Sequence, residues 1–316
     1  MSGLICECNE PVKNLGTVSC IDKFGKPLRL TFVPIYKDDG TENYIDTATA
    51  ALDQTYFDGL QYNTDTNQRF YPVPVDLKNV EMTKGDPVYE EFDDGTKQFV
   101  RFGARTFSAV MPDIAPVYIG KLNSKKCGKI GVYITSDTKN FGGIEKSKGK
   151  LYPMQLADST LNNVWMFATG STNEKGAIAF EFHSAILDEQ FSWINKSDIG
   201  IDMLTQWKGK LDTNIVQVGS GSATGFTVDV YSDFGTVNSK LPVEGLVTAD
   251  FSLYNDTGSA SITITSATES TTVPGRYVFV VPTQTTTDDA TLSLSSSTAA
   301  KPFADGTWSD VVISFD

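Results

Sequence analysis

The 316-residue chain is poor in histidine and cysteine, with one and four residues, and it has no long apolar run. No apolar stretch approaches the ~18 residues that a membrane-spanning helix requires, so we expect no membrane span. The N-terminal MSGLICECNEP has neither the basic region nor the apolar region of a signal peptide. We therefore expect synthesis in a cytosol.

Motifs that would carry catalysis are also missing. His183, in FEFHSAI, has no Gly-x-Ser-x-Gly nucleophile elbow near it, and a histidine at a strand end is usually structural. Phosphate-binding loops are absent, and Gly219-Ser220-Gly221 leads into a strand rather than a helix, which argues against a dinucleotide site. We predict no catalytic residue, no cofactor and no enzyme activity.

Adjacent carboxylates are numerous, but they lie in turn sequences. A glycosidase needs two carboxylates about 5–10 Å apart across a cleft, whereas neighbours in a turn are usually solvated turn formers. Asp38-Asp39-Gly40 lacks the Asp-x-Asp-x-Asp-Gly pattern of a calcium loop, so we predict no metal; calcium at a sandwich edge is the alternative. The pairs are Asp38/Asp39, Glu90/Glu91, Asp93/Asp94 and Asp288/Asp289.

The four cysteines, Cys6, Cys8, Cys20 and Cys127, do not have common zinc-site spacings. We predict reduced, partly buried thiols, with a metal site or a disulfide as the alternatives.

Charge divides the chain into two parts. The net charge of −13 argues against a basic DNA-binding face. Residues 211–316 contain three basic and twelve acidic residues, whereas the first 210 residues contain 23 basic and 27 acidic residues. We place the domain boundary here, giving domains 1–210 and 211–316. One basic run stands out, residues 121–129 (KLNSKKCGK); it is either a solvated face or a contact for DNA or an acidic neighbouring subunit.

Alternating apolar and polar residues predict that the first domain is built mainly from strands. A helix is predicted over residues 47–61, capped by Asp46 or Thr47, and a second over 116–124. One or two helical turns are predicted within 187–194. The predicted strands are LRLTFVPIY (28–36), KIGVYITS (129–136), KLYPMQL (150–156) and AIAFEFHS (177–184).

A long hairpin is predicted over residues 87–111, with its reversal at Asp94-Gly95. Its second arm, 99–111, is long for one strand, and Gly103 is expected to mark a bulge or bend.

The second domain is predicted to be an all-β sandwich of immunoglobulin-like size, because short strands recur between turn sequences. VGSGSATG (218–225) is read as a turn between two strands, with a flexible linker as the alternative. The strands are NIVQV, FTVDVY, DFSLYN, SASITITS, YVFVV, TLSLSS and VVISF, and the expected core residues are Phe251, Leu253, Ile262, Ile264, Tyr277 and Phe279.

Exposed aromatic residues can serve as sugar-binding platforms. Tyr56, Phe57, Phe70 and Tyr71 are assigned to a core or a subunit interface instead. In the second domain Tyr231, Tyr254 and Trp308 would form the patch of a carbohydrate-binding module, although alternation also allows each of them a core position.

Several sequence segments of the first domain resemble segments of virion structural proteins from tailed bacteriophages that infect Bacteroidetes. Within that group they look most like tail tube or tail-ring subunits. The resemblance covers much of residues 28–165. The segments are LRLTFVPIYKDDGTENYID, ALDQTYFDGL, RFYPVPVDLKNVEM, DPVYEEFDDGTKQFVRFGARTF and KLYPMQLADSTLNNVW. It implies a tail-tube-like β-barrel or sandwich with one or two helices, followed by an outward immunoglobulin-like domain.

The resemblance further implies a non-enzymatic subunit of the virion tail, assembled in the host cytoplasm into a homohexameric ring, with a dodecameric ring as the alternative. Its partners would be further copies, other tail or connector proteins, and genomic DNA that passes through without specific binding. It assigns no functional residues. A capsid-associated or head-fibre protein, and an adhesion protein that binds host surface glycans through the sandwich, remain the alternatives.

Overall fold

A computed structural model describes residues 11–12, 17–18, 23–184, 186, 190–207, 209–232, 234–236, 238–285, 287–294 and 310–315. The protein is mainly β with two short α-helices, which confirms the predicted fold class. The helices are α1 (Gln54–Gln61) and α2 (Pro116–Asn123). The strands are β1 (Pro11–Val12), β2 (Thr17–Val18), β3 (Pro27–Pro34), β4 (Ile45–Asp46), β5 (Tyr71–Pro72), β6 (Lys78–Lys84), β7 (Val88–Glu91), β8 (Lys97–Arg101), β9 (Arg105–Pro112), β10 (Ile130–Ser136), β11 (Phe141–Ser147), β12 (Lys150–Tyr152), β13 (Met154–Gln155), β14 (Asn162–Met166), β15 (Lys175–Phe182), β16 (Phe191–Ile194), β17 (Thr213–Gln217), β18 (Gly225–Ser232), β19 (Leu241–Pro242), β20 (Phe251–Asn255), β21 (Ala260–Ile262), β22 (Ser266–Glu269), β23 (Arg276–Val280), β24 (Asp289–Leu294) and β25 (Val311–Ser314).

The first domain is organised around a central sheet of order β4-β12-β11-β10-β3-β5, with β13 added to β10 and β16 added to β11. Every residue of β10 is buried. This follows from its position, because the central sheet is covered on both faces and such strands carry a nearly continuous apolar run.

A covering sheet of order β14-β15-β9-β6 packs on one face of the central sheet. Phe32 of the central sheet and Phe107 and Phe180 of the covering sheet meet in the core between them, and α2 adds Ile119 and Leu122. The first domain is therefore a two-sheet sandwich.

The opposite face of the central sheet carries a second core. Phe57 of α1, Phe70 and Trp207 lie against Tyr133 and Phe141 of the sheet, and all five are buried. The predicted assignment of the aromatics near α1 to a core is confirmed for Phe57 and Phe70.

The predicted start of the first helix was wrong. α1 begins at Gln54, and its N-cap is Asp53, whose carboxylate accepts a hydrogen bond from the Tyr56 amide at 2.9 Å. Asp46 instead belongs to β4, and its carboxylate accepts hydrogen bonds from the amides of Ala48 and Thr49 in the bend that follows. An Asx-type contact of this kind competes with helix initiation.

The second predicted helix is confirmed as α2, whereas the helical turns predicted within 187–194 were wrong for Phe191–Ile194; Gln190 is in a 3₁₀ conformation. Phe191–Ile194 forms β16, which pairs antiparallel with β11. Residues 187–189 lie outside the described residues.

The C-terminal third of the chain contains two sheets with their own core. The front sheet has the order β17-β18-β23-β22 with β19 added to β18, and the back sheet has the order β21-β20-β24-β25. The predicted strands are confirmed except that only the first part of SASITITS (259–266) is a strand, β21, which joins the back sheet. Residues 263–265 are not in a strand, and β22 begins at Ser266 and joins the front sheet. Residues 218–225 form the predicted turn from β17 to β18. Of the predicted core residues, Phe251, Leu253, Tyr277 and Phe279 are buried, and Ile262 and Ile264 pack partly buried against them.

Tyr277 ties this core to the loop before β20. Its hydroxyl donates a hydrogen bond to the Val243 carbonyl at 2.8 Å and accepts one from the Leu246 amide at 3.2 Å. We expect Tyr277→Phe to lower the free energy of unfolding by about 1–3 kcal/mol, because a buried amide and carbonyl lose their partner.

The same hydroxyl makes the free energy of unfolding of the C-terminal sandwich depend on pH in the alkaline range. Burial raises the pKa of Tyr277 from 10.0 to about 12. As pH rises, Tyr277 ionises at a lower pH in the unfolded chain than in the folded chain. The stabilisation that its hydroxyl contributes to the folded state is therefore fully present below about pH 10 and is lost as pH rises towards 12. Urea unfolding measured across this interval should show a steeper loss in the native protein than in Tyr277→Phe; equal slopes would contradict this assignment.

Candidate functional site

No metal centre is formed by the described residues, because they contain no group of three histidine, cysteine or carboxylate side chains close enough to hold an ion. Cys127 is a free, exposed thiol, which contradicts the expected partial burial for this residue. Cys6, Cys8 and Cys20 lie outside the described residues. None of the helices in the described part is long and apolar enough to cross a membrane.

Two of the carboxylate pairs sit in matching turns. The tetrapeptide Asp-Asp-Gly-Thr occurs at 38–41 and at 93–96, and in each turn the second aspartate accepts hydrogen bonds from the threonine amide at 2.8 Å and hydroxyl at 2.6 Å. These bonds, the hydroxyl first, lower the pKa of Asp39 and of Asp94. The glycines adopt φ of +79° and +80°, a conformation that glycine accepts without strain. The interpretation of these carboxylates as turn formers is confirmed.

The other pairs make contacts within turns or strands as well. Glu91 forms an exposed ion pair with Lys97 at 3.3 Å, and Asp288 accepts a hydrogen bond from Asn255 at 3.1 Å. His183 follows β15, half-buried, and its backbone amide donates to the Gln155 carbonyl.

The proposed sugar-binding aromatics do not form one patch. Tyr231 lies on the outer face of the front sheet, where alternate residues of β18 are buried, and Tyr254 lies exposed on the outer face of the back sheet. The two rings are therefore on opposite sides of the sandwich, and Trp308 lies outside the described residues.

The most prominent surface feature is a projecting hairpin, residues 86–102, which we call the arm. β7 and β8 form a two-stranded sheet of their own, and every residue from 81 to 102 is exposed. The predicted 87–111 hairpin is thus divided: its second strand is broken between β8 and β9 at residues 102–104, as expected for Gly103.

The break has a steric cause. The Gly85 amide donates a hydrogen bond to the Ala104 carbonyl at 2.8 Å, so the two segments that lead into and out of the arm pass very close to each other here. A Cβ atom on Gly103 would lie 1.9 Å from the Gly85 carbonyl oxygen. Only glycine fits this crossing, which separates the arm from the covering sheet.

One side of the arm is aromatic. Tyr89 pairs with Phe99, with ring centroids 5.9 Å apart, and Phe99 contacts Phe102 at 4.8 Å. Val100 is left unpaired at a β-bulge, because Val88 pairs with Arg101. The three aromatic residues are 53%, 45% and 51% exposed, so a contiguous apolar surface faces solvent.

The arm is also acidic. It contains five carboxylates and two cations, and the carboxylates of Glu90, Glu91, Asp93 and Asp94 cluster at its tip. An exposed cluster of aromatic residues is typical of a surface that binds another macromolecule.

The basic run predicted from the sequence borders a groove at one end of the first sandwich. This basic groove, with a volume of about 300 Å³, has no carboxylate in its lining. Lys121, at the start of the run, is paired with Asp212 at 2.7 Å, whereas Lys125 lies over the Tyr71 ring at 4.3 Å. The groove is lined by Pro34, Tyr36, Thr66, Tyr71, Lys125 and Lys129, among others.

Sequence reasoning missed a second basic cluster, formed by Lys146, Lys148 and Lys150. The cleft beside it, about 350 Å³, is lined by Glu145 and Asp198 as well as Lys150, so its positive charge is offset. The spacing of KSKGK was a usable signal, and one offsetting carboxylate, Glu145, directly precedes it, but the other, Asp198, comes from a distant part of the chain.

The fold and the arm together define a mainly-β protein with an exposed, apolar hairpin. No protein-family model matches the chain, and no curated protein matches it either.

Proposed function

We propose that this protein is a non-enzymatic structural subunit of a tailed-phage virion that associates with further copies of itself into a ring or tube of the tail. The observation that carries the proposal is the arm, with its uncovered aromatic surface. An isolated two-stranded hairpin is marginally stable in water, so packing against another chain would stabilise it.

Open sheet edges support the same function. β14 is one edge of the covering sheet, and it exposes Val164, while Phe167 just beyond it is 77% exposed. β6 is the other edge. Unpaired edges bearing apolar residues are hazardous in a monomer, but they are used productively when a neighbouring subunit covers them.

The proposal includes a place for DNA, as a cargo passing through the assembled ring without specific binding. An acidic lumen would discourage the phosphate backbone from adhering, but the chain's net charge of −13 does not by itself supply one. The greater part of that charge lies beyond residue 210, in the domain proposed to decorate the outside.

The arm can be tested with the variant Tyr89→Ser/Phe99→Ser/Phe102→Ser. Loss of one buried aromatic anchor typically costs about 2 kcal/mol of association. We therefore expect the concentration for half-assembly to rise more than ~tenfold, with folding unchanged because these rings contact no core. Sedimentation velocity and negative-stain microscopy would measure assembly, and circular dichroism would measure folding.

A matched control removes exposed apolar residues from the C-terminal sandwich, Tyr254→Ser/Val280→Ser/Val312→Ser. It should assemble as the unaltered chain does. An unaltered chain that stays monomeric at high concentration would contradict the proposed function, and normal assembly of the arm variant would contradict the role of the arm.

The alternatives predict other results. A capsid-associated or head-fibre protein would be labelled on the head rather than the tail in immunogold microscopy of particles. A glycan-binding adhesion protein would retain host glycans on an array, but the positions of Tyr231 and Tyr254 on opposite faces do not favour this function.

A further inference from the structure

We propose that the arm of one copy docks in the basic groove of a second copy, so that a single repeated contact joins the subunits. This inference rests on the proposed function and identifies the partner surface for the arm. Such a contact is heterologous, because two different surfaces meet, and it generates a closed ring or an open tube according to the rotation between copies.

The first argument is shape and polarity. The groove lining includes the aromatic and apolar side chains of Tyr36, Tyr71 and Pro34, and Tyr36 is exposed. The arm presents a row of three aromatic rings on a narrow two-stranded support. Aromatic anchors that enter an apolar groove are the usual centre of a specific interface.

The second argument is charge. Lys125 and Lys129 line the groove, and Lys126 is exposed beside it. Asp38 and Asp65 are close in sequence to the lining residues Tyr36 and Thr66, but neither aspartate lines the groove. Asp38 accepts a hydrogen bond from Asn67, and Asp65 accepts one from Gln68. The groove is therefore a positive site on a chain of net charge −13, and the acidic tip of the arm is its complement.

The third argument is the contrast with the second cleft. That cleft is similar in size, but Glu145 and Asp198 line it, and Lys146 beside it forms an ion pair with Glu42 at 2.5 Å. An acidic arm tip would meet carboxylates there. The groove beside residues 121–129 is the better partner of the two.

A charge swap tests the pairing. We expect Lys125→Glu/Lys129→Glu and, separately, Glu90→Lys/Asp93→Lys to raise the concentration for half-assembly by roughly tenfold or more, since like charges then face each other. Mixing the two variants, or combining all four changes in one chain, should restore assembly. Asp94 is left unchanged because its carboxylate closes the turn with Thr96.

The matched control for the groove is Lys148→Glu/Lys196→Glu, which makes the same change in charge at exposed lysines elsewhere and should assemble normally. If the groove variant and the control assemble equally well while the unaltered chain forms rings or tubes, the inference is wrong and the proposed function stands. If the unaltered chain never assembles, both fail.

Cross-linking gives a readout that does not depend on the charge variants. Cys127 lies beside the groove and is exposed, so it can report on the partner directly. In a Cys6→Ser/Cys8→Ser/Cys20→Ser background, Asp93→Cys should form intermolecular cross-links to Cys127 with a short bismaleimide. Thr271→Cys, exposed on the sandwich, should not.

Two results of these experiments would overturn the inference. The first is assembly without a cross-link between positions 93 and 127. The second is retention of DNA by the unaltered chain that is lost in Lys125→Glu/Lys129→Glu while assembly is unchanged, which would make the groove a site for nucleic acid instead.

Discussion

Phe180→Ala is expected to lower the free energy of unfolding of the first domain by about 3–5 kcal/mol. Phe180 is 2% exposed and stacks on Phe107 at 4.8 Å, with Phe182 at 5.3 Å and Phe32 of the facing sheet at 6.3 Å. Removing its ring leaves a cavity between two sheets whose strands are fixed by hydrogen bonds and cannot close over it. The measurement is chemical or thermal unfolding followed by circular dichroism.

Phe167→Ala provides the control, because it removes the same ring from an exposed position just beyond β14. It should change stability by no more than about 0.5 kcal/mol. Equal destabilisation by the two substitutions would mean that the interface between the central and covering sheets is not the core of the first domain.

Phe279→Ala is expected to destabilise the C-terminal sandwich by a similar amount, about 3–5 kcal/mol, without shifting the unfolding of the first domain. Phe279 stacks on Phe226 at 4.7 Å and meets Phe251 edge-on at 4.9 Å, and its neighbours all belong to the C-terminal core. The residues of the other two cores end at Trp207. Because the core of the C-terminal sandwich shares no residue with the two cores of the first domain, we predict two unfolding transitions, one for each domain.

Differential scanning calorimetry of Phe180→Ala and Phe279→Ala would test this organisation. Each substitution should lower a different transition. A single transition that moves equally in both variants would contradict the division of the chain near residue 210.

Local sequence patterns predicted many of the individual strands and helices, because the tendency to form them depends largely on residues close together in sequence. The predicted strand KIGVYITS corresponds to β10, and the helix predicted over 116–124 corresponds to α2. FSWI was misread since four residues do not distinguish a helical from a strand period, and its pairing with β11 comes from about fifty residues away.

The candidate site was less accessible to sequence reasoning. The Asp94 turn was predicted, but the separation of the arm depends on the contact between Gly85 and Gly103 across the hairpin. The groove brings Tyr36 and Tyr71 to the lysines of 121–129, and only the tertiary structure reveals that juxtaposition. Likewise, strand alternation left open whether Tyr231 and Tyr254 lie in the core or at the surface, and it could not predict that they lie on the outer faces of different sheets.

The Asp94–Thr96 turn also bears on the order in which the molecule is made. Its hydrogen bonds join residues two positions apart, so it can close within microseconds of leaving the ribosome. β9 must wait for β15, and β3 for β10, both translated much later. A nascent chain therefore exposes the aromatic surface of the arm before the two sheets of the first domain have formed. We expect aggregation of nascent chains on the same polysome to begin at the arm.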